Sequence, residues 1–299
     1  MVPIVVIKGG LGNQLFQWVY AHSLQEKDVF YPSRFHYGHH DKIMHLELED
    51  LFETCHHVLN AGAFSPSREH LSHAAEWLWS KRIGRGVAES FLRYYQEDPR
   101  DDQVQGVSKH LKTQIISGYF QKNSYSEMSK GVVELEILPY AEKIASKLLA
   151  SELIPRCYSI LHIRTGAYST QNASDPNFIG NLDEKYFLEN VNKLKANYLI
   201  VLTENADHIP ELLKKIKPDL VLDAHQLDAW ETLATMALSE SMIGANSSLS
   251  WWGAKLASLK GAETWLPTNW SSWNNINSEA YRFPNLKVLE SSWRPTENS

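Results

Sequence analysis

The sequence predicts an α/β protein with parallel strands and crossover helices, arranged as two domains that leave a cleft between them. Three observations predict it. From about residue 155, short apolar runs alternate with amphipathic stretches through brief connections, which is the pattern of a doubly wound parallel sheet. The chain opens the same way, with an apolar run, a glycine turn and an amphipathic helix. Its 299 residues also reach the size at which one core gives way to two.

Residues 2–7 predict the first strand, followed by a glycine turn and a helix from Asn13 whose Leu15, Phe16, Val19, Tyr20 and Leu24 share one face. Beyond it the pattern fades: residues 32–110 hold scattered His and Trp, with helices expected around 40–53 and 70–96. A strand follows at 113–117. A helix over 132–150, interrupted by Pro139, leads to Ile154-Pro155, the predicted junction between an N-terminal domain of residues 1–154 and a C-terminal domain of 155–299. The second domain reads as strand 158–163, helix 184–196, strand 198–203, a helix to 216, strand 220–222, helix 229–240, strand 241–245, helix 248–259 and strand 263–266. This is the layout of a Rossmann-like nucleotide domain.

Composition narrows the function. A net charge of −6 argues against nucleic acid as the main partner, because phosphate-backbone binding needs a basic face. One basic cluster, Lys81, Arg82, Arg85 and Arg93, reads as a solvated helix face, with an anionic membrane or lipid-linked pyrophosphate as the alternative contact. Ten Trp and 13 Tyr suit core packing first and sugar rings second. Cys55 and Cys157, far apart in sequence, fit a reducing cytosol. The first residues lack a signal-peptide pattern, and no run reaches the ~18 apolar residues of a membrane span. The expectation is a cytoplasmic protein, soluble or peripheral at the inner face of the membrane.

Three motifs point to chemistry. Tyr158-Ser159-Ile160-Leu161-His162-Ile163-Arg164-Thr165-Gly166 carries His162 and Arg164 along a buried strand into a loop, where a guanidinium fits a phosphate bidentately. A surface Arg closing a core strand is the plainer alternative. Gly9-Gly10-Leu11-Gly12-Asn13-Gln14 joins a strand to a helix, so backbone approaches a ligand closely; a tight turn with Asn13 as helix N-cap explains it equally well. Gly244-Ala245-Asn246-Ser247-Ser248-Leu249-Ser250-Trp251-Trp252-Gly253 does the same with three hydroxyls at a positive helix end, a phosphate cradle without lysine. Arg164 and residues 247–250 would sit at the carboxyl ends of different strands of one sheet, bridged by a diphosphate. No metal is expected: there is no Asp-x-Asp pair, and His36, His39, His40, His45, His56 and His57 lack cysteine partners and regular spacing.

These anchors, with Gly118-Tyr119-Phe120-Gln121, resemble in identity and order the bacterial α-1,2-fucosyltransferases, glycosyltransferase family 11, within the GDP-fucose-dependent transferases. The resemblance implies a GT-B fold, with GDP-fucose held mainly by the C-terminal domain and the acceptor by the N-terminal one. By that analogy Arg164 contacts the donor diphosphate beside His162, while Asn246, Ser247, Ser248 and Ser250 take the β-phosphate. Gly10, Gly12, Asn13 and Gln14 close over the donor, and Asp228 or Glu231 accepts from guanine. The implied reaction is inverting transfer of L-fucose to the 2-hydroxyl of a galactose-terminated oligosaccharide, free or lipid-linked, in O-antigen-like glycan synthesis, without a cofactor.

One departure complicates this. The family motif usually reads His-x-Arg-Arg-Gly-Asp, whereas this chain has Thr165 for the second Arg and Ala167 for the Asp. Ala167 cannot take the acceptor's proton, so a base must come from elsewhere, with His162, Asp175, Asp183 and Glu204 as candidates. A weakly active or non-catalytic GDP-sugar or glycan binder, or a transferase using another GDP-sugar, are the alternatives.

Overall fold

A computed structural model describes residues 4–24, 31–33, 94–97, 115–164, 181–268, 270 and 278–292, with scattered positions from 48 to 88. The chain divides into two compact units, Met1–Ile137 and Leu138–Ser299. Each is built on a parallel sheet, so the α/β class expected from the sequence is the one observed.

The first unit has strands β1 (Ile4–Val6), β2 (Tyr31–Ser33), β3 (Tyr94–Gln96) and β4 (Ile115–Ser117) in the order β2-β1-β4-β3. Helix α1 (Leu11–Ser23) follows β1 through Gly9 and Gly10. Gly9 has φ +80, and a Cβ there would lie 2.6 Å from the Asn13 side chain, so only glycine makes this turn. Gly10 is the N-cap, which puts Asn13 inside the first turn rather than at the cap position. Helix α2 (Asn123–Met128) follows β4.

The second unit begins with helix α3 (Leu138–Ala150). A π turn, Val133–Ile137, precedes it, and Pro139 supplies the cause, since it cannot donate to the ladder. Although the sequence places the junction at Ile154-Pro155, α3 already belongs with the second unit. It buries Ala141, Ala145 and Leu148 on one stripe, and Tyr140 meets Trp230 edge to face at 4.7 Å. Then come β5 (Ser159–Ile163), α4 (Glu184–Asn190), β6 (Leu199–Thr203), α5 (Pro210–Ile216), β7 (Leu220–Leu222), α6 (Ala229–Ala237), β8 (Ser241–Ile243), α7 (Ser248–Leu259), β9 (Glu263–Pro267) and β10 (Lys287–Leu289).

The strand order is β10-β9-β8-β5-β6-β7. Numbered from this unit's own first strand and read from β7, it is 3-2-1-4-5-6, the Rossmann order. All five residues of β5 are buried. The aromatic excess goes largely into cores, since Trp18, Trp251 and Trp252 are fully buried. The sequence does not reveal β2, β3 and β10. All three are three-residue edge strands, and β2 carries Pro32, which an edge tolerates. Most of the segment where helices around 40–53 and 70–96 were expected lies outside the described residues. Among the described residues, no helix is long and apolar enough to cross a membrane.

Helices α6 and α7 pack closely at Gly253, where a Cβ would lie 2.6 Å from the Cβ of buried Met236. A Gly253→Ala variant gains about 1 kcal/mol of helix propensity but forces two packed helices apart. A net loss of about 1–2 kcal/mol is expected from overpacking, read by urea unfolding; equal or higher stability would show that the helices yield.

Candidate active site

In an open parallel sheet, ligands bind beyond the carboxyl ends of the strands where the strand order reverses. In the second unit that point lies between β5 and β8. Arg164 leaves the end of β5, and the turn from Gly244 to Ser247 leaves the end of β8, so the two motifs singled out in the sequence follow neighbouring strands at this point. The Arg164 side chain is 19% exposed, and its Nε lies 3.6 Å from Glu204 Oε1. Glu204 follows β6, whose Thr203 is in register with Ile163, which explains why the two charges meet.

His162 points into the protein. It is 5% exposed, and its Nδ1 is 2.5 Å from Ser250 Oγ. The same hydroxyl oxygen accepts the Ala245 amide at 3.1 Å. Burial, with repulsion from Arg164 second, pushes the imidazole down to about 3. It is therefore neutral at physiological pH, with its Nδ1 engaged by Ser250. Ser250 is fully buried in this arrangement, so its hydroxyl ties the β8–α7 turn to β5 instead of facing a ligand.

The Ser247 hydroxyl caps α7 by accepting the Leu249 amide at 3.2 Å. The first amides of a helix have no intrahelical acceptor, which makes a helix start of this kind suited to an anion. Ser248 is half-buried and Asn246 buried. Gly244 allows the turn to lie close to the sheet, because a Cβ there would lie 2.6 Å from Leu266 and 3.0 Å from Ser250. Trp251 and Trp252 are core residues, and the Trp251 indole donates to the Tyr281 carbonyl at 2.6 Å.

The remaining carboxylates divide differently. Asp228 and Glu231 form a reciprocal capping box at the start of α6, each side chain accepting the other's amide at 2.7 and 2.9 Å. That is a structural task which the sequence did not assign to them. Asp183 caps α4 by accepting the Lys185 amide at 2.9 Å. Asp175, Thr165 and Ala167 lie outside the described residues, as do the clustered histidines and Arg82, Arg85 and Arg93. Among the described residues, no group of three or more His, Cys, Asp or Glu is placed to hold a metal ion.

In the first unit, Gly10, Gly12, Asn13 and Gln14 lie together at the start of α1. Gln14 Nε2 donates to the Gly9 carbonyl at 2.8 Å, and Asn13 Oδ1 accepts from Gln121 Nε2 at 2.6 Å. Buried Gln17 accepts the Lys8 amide at 2.7 Å and donates to the Gly118 carbonyl at 2.9 Å. The glycine motif and the Gly118-Tyr119-Phe120-Gln121 motif thus interlock across about a hundred residues of chain. Sequence reasoning missed the buried Glu97, whose carboxylate takes the Tyr119 and Phe120 amides at 2.8 and 2.6 Å. No pattern around it distinguishes it from a surface glutamate.

The sequence model of glycosyl transferase family 11 matches residues 90–285. An α-1,2-colitosyltransferase of Escherichia coli is 28% identical over 209 residues, which cover 58% of this chain and 70% of that protein. Among solved structures, POFUT1 in complex with GDP-fucose has 12% identity, 98% coverage of both chains and a TM-score of 0.47. E. coli heptosyltransferase WaaC with ADP has 10% identity, covering 97% of this chain and 93% of that one, with a TM-score of 0.46.

The neutral imidazole makes a pH prediction. Between about pH 6.5, the ordinary histidine value, and the native value of about 3, the unfolded chain binds a proton that the native state does not. Stability therefore falls as pH is lowered through that window, by at most about 1.4 kcal/mol per pH unit from this group. Urea unfolding at pH 7, 6 and 5 should show a shallower decline for His162→Asn than for the natural chain. Equal slopes would mean that the imidazole is not held neutral.

Proposed function

The chain belongs to glycosyl transferase family 11, and from that premise we propose that it transfers L-fucose from GDP-L-fucose to the 2-hydroxyl of a galactose-terminated oligosaccharide. The transfer inverts the sugar, needs no metal and serves bacterial surface glycan assembly. The acceptor is free or lipid-linked, and in the latter case the protein works peripherally at the inner face of the membrane. The observation that carries the reading is Arg164 at the β5–β8 switch point, beside the amino end of α7. A cation and helix amides converge there where a nucleoside diphosphate binds in this sheet topology. The α-1,2 linkage is supported by the E. coli relative.

In the reaction the acceptor oxygen bonds to the sugar's anomeric carbon as the bond from that carbon to the β-phosphate oxygen breaks. GDP leaves with the electron pair, and its charge falls to Arg164 and to amides of the 244–250 turn. The acceptor proton passes to a base. Glu204 is the candidate we favour: it is 42% exposed beside Arg164, whereas His162 is buried with its Nδ1 engaged by Ser250 and Asp183 caps a helix. A second reading, with colitose as the transferred sugar, is favoured by the relative's specificity.

Incubation with GDP-fucose or GDP-colitose and galactose-terminated disaccharides tests both readings. Fucosylated product with release of GDP supports the first, and product only from GDP-colitose supports the second. GDP binding without turnover would favour a non-catalytic relative. Arg164→Ala removes one or two charge-assisted hydrogen bonds of about 1.5–3 kcal/mol each, so the Kd for GDP should rise at least about tenfold. An unchanged Kd by calorimetry would take Arg164 out of the donor site.

A further inference from the structure

The loop after β4 combines a strained backbone with a buried carboxyl group. Its Phe120 has φ +51, a conformation bulky residues avoid. The Glu97 carboxylate that accepts the Tyr119 and Phe120 amides is 8% exposed, and burial raises its pKa despite those bonds and the nearby Lys122 and Lys8. Gly118 leaves no room beside it, since a Cβ would lie 2.5 Å from Glu97 Cβ. The result is a sharp division. Phe120 turns inward to stack on Tyr20, with ring centroids 3.7 Å apart and planes within 3°. Tyr119 turns outward and is 44% exposed, with Trp77 one of two large aromatic side chains left in solvent among the described residues.

The position of Tyr119 matters as much as its exposure. In the order β2-β1-β4-β3 the chain changes direction between β1 and β4. Lys8 follows β1, Tyr119 follows β4 and Glu97 follows β3, so all three stand beyond the carboxyl ends of neighbouring strands, where an open parallel sheet takes its ligands. Lys8 Nζ donates to Ser117 Oγ at 2.8 Å and lies 5.5 Å from the Tyr119 ring centroid. An exposed aromatic face with the Lys8 ammonium nearby suits a pyranose. The ring receives its C–H face, and the polar groups receive its hydroxyls.

We propose that Tyr119 is the stacking residue of an acceptor-sugar subsite on the N-terminal unit, and that Glu97 is the positioning residue holding its loop open to that sugar. The inference rests on the proposed transferase reading and names where the galactoside sits within it.

The test separates acceptor from donor. Tyr119→Ala should raise the acceptor KM roughly tenfold, the share of apolar contact that one ring supplies, with GDP affinity by calorimetry at the natural value. Tyr119→Trp should restore the KM to within about threefold. Glu97→Gln, which keeps the shape but not the charge, should raise the acceptor KM and leave GDP binding alone; a merely structural role would lower stability and move both. An acceptor KM unchanged in Tyr119→Ala overturns the proposal. Titration of methyl β-galactoside into the free protein, followed by NMR, keeps the subsite separate from the reaction. If the natural chain shows no transfer but binds the galactoside, and Tyr119→Ala abolishes that binding, the subsite stands and the transferase reading fails. If the natural chain binds no galactoside and its acceptor KM is insensitive to Tyr119, the subsite fails.

Discussion

The contact on which the C-terminal site depends is the buried hydrogen bond between His162 and Ser250. It joins the middle strand of the sheet to the first turn of α7, at the one place where the strand order reverses. Because Ser250 Oγ also takes the Ala245 amide, one hydroxyl fixes three pieces of backbone: β5, the β8 turn and the helix start. A buried polar pair left half made costs about 1–3 kcal/mol, so turn and strand are held in register rather than merely near each other. Arg164 lies two residues beyond this anchor. Its direction is inherited from a strand whose every residue is buried.

The N-terminal unit reaches the same end with different chemistry. There Gln17 spans from the Lys8 amide to the Gly118 carbonyl, and Gln121 reaches Asn13. Buried side-chain amides and one buried carboxylate take the place of the His–Ser pair. Both units thus place polar groups, with their desolvation cost, at the carboxyl ends of parallel strands, where the backbone has left the ladder and its groups need partners. Satisfying those groups through side chains fixes the loops that follow.

What was legible in the sequence follows the same physics. The strands at residues 159–163, 199–203 and 263–267 are mostly apolar or β-branched, with Ser159, His162 and Glu263 as exceptions, because both faces are covered, and their helices alternate with them. Short edge strands such as Tyr31–Ser33 lack that signal. Arg164 and the 244–250 turn were legible as a pair, since a strand end and a helix start are both readable. The direction of a side chain was not. Ser250 and His162 look like ligand groups in a motif, yet they face each other inside the protein. Glu97 was invisible for the converse reason: its partners are backbone amides more than twenty residues away.

The ion pair between Arg164 and Glu204 bears on the missing family carboxylate at Ala167. Such a pair, with its carboxylate 42% exposed and its atoms 3.6 Å apart, belongs to a class worth at most about 1 kcal/mol. A diphosphate offers the guanidinium charge-assisted bonds of about 1.5–3 kcal/mol each. On the proposed reaction, donor binding therefore displaces Glu204 from Arg164 at little cost. On that reading Glu204 stands beside the leaving group, where a chain without the usual aspartate needs a base.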